Sequence, residues 1–143
     1  EEGFRQLIWT DAKEHKYIEE AGTMNVLFVI DNVLVTPIVG DTILNGITRK
    51  SVVEIAKDWG IEVQERKIEV QEVFEALKDD SLTEAFGAGT AATIAPISNI
   101  SINGENFTIS ESKGDHFHTK VLKYLSEYKM GMHPDKFNWL IKV

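Results

Sequence analysis

Three short stretches have the side chains and backbone needed to hold a phosphorylated ligand with a ring nitrogen. Glu20-Ala21-Gly22-Thr23-Met24-Asn25 puts a carboxylate on an extended segment. There it can accept from a protonated ring nitrogen and stay ionised beside it. Gly46-Ile47-Thr48 has the form of a helix start. The free N–H groups and positive dipole end of such a start bind anions, and glycine permits close approach. Gly87-Ala88-Gly89-Thr90-Ala91 reads as a tight turn with a hydroxyl and amides to offer. Each stretch also has an ordinary reading. Glu20 could be a solvated strand carboxylate, and Thr23 a plain strand residue. Gly46-Ile47-Thr48 could be a helix start that binds nothing. The glycine-rich stretch could simply join two strands. Glu19 and Glu20 point to opposite faces of a strand, so only one of them can face a ligand.

The elements that must position these residues follow from the pattern. Gln6 to Thr10 predicts a strand, and Asp11 to His15 a polar turn. Lys16 to Gly22 and Met24 to Ile30 read as extended segments meeting at Gly22. Asp31-Asn32 is a two-residue hairpin signal before Val33-Leu34-Val35, and Pro37 ends that strand. Val52, Val53, Ile55, Ala56 and Trp59 predict a helix over Thr48 to Trp59, stopped by Gly60. Ile61 to Ile68 alternates as a half-exposed strand. Val70 to Asp79 predicts a second helix, with Val73, Phe74 and Leu77 inward. Leu82 to Phe86 is short and apolar, and Ala91 to Ile102 reads as one long strand. Asn103-Gly104 is a hairpin turn, and Phe107 to Ile109 returns. Gly114 to Tyr128 predicts the last helix, and Phe137 to Ile141 an apolar tail packed on the body. The expected class is α+β, with mixed, mostly antiparallel strands and about three helices.

Composition limits the function. The 143 residues suit one domain with a sizeable core. Fifteen basic and 23 acidic residues give a net charge of −8, which argues against a nucleic-acid surface. There is no cysteine, hence no disulfide frame and no thiol nucleophile, as suits a reducing cytoplasm. No apolar run is long enough for a membrane helix.

Taken in order, the three stretches resemble the large domain of branched-chain amino acid aminotransferases, pyridoxal-phosphate enzymes of fold type IV. The resemblance runs from about Gln6 to Asn103. It implies pyridoxal 5'-phosphate as cofactor, branched-chain amino acids and 2-oxo acids as substrates, and a cytoplasmic homodimer. It assigns Glu20 to the pyridine nitrogen and Leu44 to one face of the ring. The amides of Ile47 and Thr48 and the hydroxyls of Thr48 and Thr90 would bind phosphate, with Gly46 allowing the approach. Thr23 and Ala91 would line the substrate side, the Ala91 N–H meeting the α-carboxylate. Three departures stand out. Asn45 occupies a common proline position, Ala88 replaces serine, and Ala92 and Ala95 stand where some relatives carry Cys-x-x-Cys.

In that family a lysine before a Gly-Gly-Asn-Tyr run holds the cofactor covalently and moves the α-proton. No such run occurs here, and Lys13 and Lys16 fall in the polar turn before Glu20. Residues 1–143 are therefore expected to be the cofactor-binding large-domain portion of a longer enzyme, inactive alone, with no catalytic residue in this chain. Two readings remain open beside it. One lies within the fold, a D-amino acid aminotransferase or aminodeoxychorismate lyase. The other is a non-catalytic phosphate-ligand binding or assembly module. No metal is expected, because His116 and His118 fall on a predicted helix where i and i+2 diverge. Glu62, Glu65 and Glu69, and the Lys120–Lys123 face, read as solvated surfaces.

Overall fold

Twelve elements follow one another in the computed structural model, which describes residues 6–90, 93–109 and 115–141. They are β1 (Ile8–Thr10), β2 (Ile18–Ala21), β3 (Met24–Ile30), β4 (Val33–Pro37), α1 (Ile47–Asp58) and β5 (Val63–Arg66). After these come α2 (Val70–Lys78), β6 (Leu82–Gly89), β7 (Thr93–Pro96), β8 (Asn99–Ile102), β9 (Glu105–Thr108) and α3 (Phe117–Lys129). The expected α+β class is found: among the described residues there are three helices, and strands that pair antiparallel except β4 with β5.

The sheet is built on β3. One edge pairs with β2 at Met24 and Asn25 and with β4 at Phe28 to Ile30. The other edge pairs with β6 along nearly its whole length. Successive β3 side chains enter opposite cores. Val26 and Phe28 join Val73, Ala76 and Leu77 of α2. Leu27 and Val29 join Val52, Ile55 and Ala56 of α1 and Val121 and Leu125 of α3. Burial on both faces explains why this strand is apolar throughout rather than alternating. Five of its seven residues are buried. Asp31 and Asn32 take positive φ (50° and 61°), as a primed hairpin turn requires, and Asn103 and Gly104 do the same (52° and 78°). Gly60 closes α1 at φ +76°.

Two expectations need correction. Gly87-Ala88-Gly89 is not a turn but the end of β6, paired with Ala95, Ile94 and Thr93. The glycines are there because Met24 lies across them. A Cβ on Gly87 would come within 2.7 Å of Met24 Cε, and one on Gly89 within 2.8 Å of its Cγ. The long strand expected from Ala91 to Ile102 is two strands in different sheets: β7 stays with β6, while β8 and β9 form their own pair. Pro96 ends β7, consistent with its missing donor. Glu65 is exposed as expected, and its carboxylate also pairs with the buried Arg49 guanidinium at 2.9 Å.

The remaining elements match closely. The tail packs as expected through Phe137 and Trp139, which lie against Tyr128 of α3. Leu140 and Ile141 remain exposed.

Candidate functional site

Glu20, Asn25 and Ala88 form a row across three neighbouring strands, paired Glu20↔Asn25 and Asn25↔Ala88. Directly opposed residues share a face. Ala88 belongs to the core beneath α1, so the row faces that helix. The loop leading into α1 closes over it. Glu20 Oε1 accepts from the Leu44 N–H at 3.1 Å, and Asn25 Nδ2 donates to the Leu44 carbonyl at 2.7 Å. Glu19 also reaches this loop, its Oε1 accepting from the Thr42 hydroxyl at 2.8 Å. Both glutamates thus reach the loop, but of the two it is Glu20 that lines the cleft, as strand alternation leads one to expect.

Glu20 and residues 39–45 line an open cleft of about 480 Å³. Beside it α1 begins. Gly46 is the extended N-cap (φ −62°, ψ 143°), with no side-chain cap and no acidic residue in the first turn. That leaves the positive helix end to whatever anion approaches. Asn25 is why residue 46 is glycine: a Cβ there would lie 2.5 Å from Asn25 Oδ1. Leu44 and Ile47 project outward, 78% and 82% exposed, so each has apolar surface free to be covered.

The structure thus brings Glu20, Leu44 and Gly46 together, with Ile47 and Thr48 following as the first residues of α1. Thr23 lies exposed in the β2–β3 turn, outside the cleft lining, and Thr90 is exposed just beyond β6. Ala91 lies outside the described residues. Among the described residues the cleft lining includes no lysine.

Three contributors escaped the sequence reading. Asn25 locks the loop, and its signal was one amide inside an apolar strand. Arg49 is 2% exposed and donates to the Pro37 carbonyl at 3.0 Å, fastening α1 to β4. Its signal was a cation in a helix's first turn, where the dipole disfavours it. Glu84 is buried in β6 and accepts from the Phe117 and His118 amides at the start of α3, both at 3.0 Å. Burial opposes its charge, but the His118 ring and these amides outweigh that and hold its carboxyl below the usual range.

The family Amino-transferase class IV matches residues 1–100, and the chain belongs to that family. Its relatives point to one branch. It is 42% identical over 143 residues to branched-chain-amino-acid aminotransferase 2 of Bacillus subtilis, covering all of this chain and 39% of that protein. It is 38% identical over 141 residues to the same organism's branched-chain-amino-acid transaminase 1, covering 99% of this chain and 40% of the relative. Among solved structures it resembles the Escherichia coli branched-chain amino acid aminotransferase at TM-score 0.78 and 31% identity, over 98% of this chain and 42% of that one. The branched-chain aminotransferase of the archaeon Thermoproteus uzoniensis, solved with norvaline, matches at TM-score 0.76 and 31% identity, over 97% of this chain and 42% of that one. The chain spans about two fifths of the length of these relatives.

Proposed function

We propose that this chain is the cofactor-holding part of an aminotransferase that exchanges the amino group of leucine, isoleucine or valine with 2-oxoglutarate, using pyridoxal 5'-phosphate. The observation that carries this reading is that one loop joins the Glu20 carboxylate to the uncapped start of α1. An acid and an anion site then sit side by side, as a cofactor with a basic ring nitrogen and a phosphate requires. Bound there, the cofactor supplies an aldehyde for the amino group and an electron-withdrawing ring.

The protein's own residues take these roles. Glu20 holds the positive charge of the ring nitrogen in place. Leu44 covers one face of the ring, excluding water. The amides of Ile47 and Thr48, with the hydroxyls of Thr48 and Thr90, bind phosphate, and Gly46 admits the loop closely enough for this. Thr23 and Ala91 border the substrate. The lysine that holds the cofactor and moves the substrate proton comes from a segment outside this chain, so the chain alone turns nothing over. The greater length of the relatives supports this division. The whole protein works as a cytoplasmic homodimer, and residues 1–143 form one domain of it.

Titration of the chain with pyridoxal phosphate, followed by tryptophan fluorescence, tests the site. Saturable binding is expected, weakened several-fold by Glu20→Gln and by Thr48→Val. Binding indifferent to both substitutions would remove the assignment. Assaying the whole natural protein with L-leucine, D-alanine and aminodeoxychorismate tests the substrate, and a preference for either of the last two would overturn it.

A further inference from the structure

Four residues before Ala88 on the same strand, β6 carries a second cluster of polar side chains that the cofactor reading does not use. Glu84 Oε1 lies 2.6 Å from His118 Nδ1 and 3.9 Å from His116 Nδ1. One ligand atom from each of these three residues falls within 4.8 Å of the other two. The imidazoles stack, with centroids 5.1 Å apart and planes at 25°. They converge because His116 is not inside the helix. It is the extended N-cap (φ −67°, ψ 144°), so the divergence of i and i+2 on a helix does not apply. His116 Nδ1 is shut off from solvent and has no hydrogen-bond partner among the described residues. A buried polar atom without a partner is costly and calls for a physical explanation.

We propose that His116 Nδ1, His118 Nδ1 and the Glu84 carboxylate bind a divalent transition metal of the zinc type, with water in the fourth position. Two imidazoles and a carboxylate are donors that suit such an ion. Metal–ligand bonds of about 2.0–2.1 Å put tetrahedral ligands roughly 3.3 Å apart. The His116–Glu84 distance of 3.9 Å needs only a small closure. The His118–Glu84 contact opens slightly as the metal takes the place of the proton between them. The positive end of α3 would repel a cation. Glu84 already lies across that end, accepting from the Phe117 and His118 amides, and its negative charge offsets the repulsion. Metal bound here would pin the first turn of α3 to β6.

The test uses the 143-residue chain without an affinity tag, stripped with chelator and titrated with Co²⁺ as a visible probe. The expected result is a d–d absorption band saturating at one equivalent, displaced by Zn²⁺, with Zn²⁺ also raising the unfolding midpoint. His116→Ala should weaken Co²⁺ binding at least tenfold, with a cooperative unfolding transition retained in chelator showing that the variant still folds. His118→Gln should weaken binding likewise, and His133→Gln should not. Absence of the band, failure to saturate, or unchanged affinity in both His116→Ala and His118→Gln would overturn the proposal.

Discussion

Asn25 is an amide in a strand otherwise made of apolar residues, and its place follows from what it touches. It ties the Leu44 carbonyl and fills the space that a side chain at residue 46 would take. Gly46→Ala must therefore push Asn25 aside and break its bond to Leu44. A cost of about 1–3 kcal/mol is expected from that lost buried bond, read as a lower urea midpoint, together with weaker pyridoxal phosphate binding. Asp11 gives a pH prediction. Its carboxylate accepts from the amides of Tyr17, Glu14 and Lys16, which lower its pKa from 3.8 to about 2. A depressed folded pKa stabilises the fold above the unfolded value and loses that effect as protons bind. The difference in unfolding midpoint between the parent and Asp11→Asn should be full above pH 3.8 and shrink towards pH 2. Glu20 and Gly46 drew notice in the sequence because a strand carboxylate and a helix start have local signatures, whereas Leu44 entered only through the family resemblance. The partnership of Gly46 with Asn25, 21 positions apart, was not, because only the sheet brings the two together.

At the level of elements, α1 is held to the sheet by a charge pair with unequal partners. Arg49 has a side chain 2% exposed, while that of Glu65 is 37% exposed. Removing Glu65 leaves a buried cation with only the Pro37 carbonyl, whereas removing Arg49 leaves a carboxylate that water can reach. Glu65→Ala should cost about 3 kcal/mol by chemical denaturation, and Arg49→Met clearly less, reversing the order expected if the buried residue always matters more. The two primed hairpins could be read directly, because Asp-Asn and Asn-Gly pairs tolerate the left-handed backbone they need. The stretch from Gly87 to Gly89 could not. Its glycines answer to Met24 lying across them, a contact that no local pattern encodes. The parallel pairing of β4 with β5 was hidden for a related reason, since it depends on α1 crossing between them.

Across the molecule, stability should follow the pairing of β3. In native-state hydrogen exchange the amides of β3 and β6 should be slowest and those of the separate β8–β9 pair much faster, because a two-stranded ribbon has little support of its own. Equal protection in the two regions would contradict this. Val26 and Phe28 lie in one core and Leu27 and Val29 in the other. Neither layer can therefore melt while its neighbour stays intact, and heating should give a single transition. Phe28→Ala, made on the α2 side, should loosen the ground under α1 as well. A lesion remote from the cleft can then impair ligand binding without touching any residue that meets the ligand.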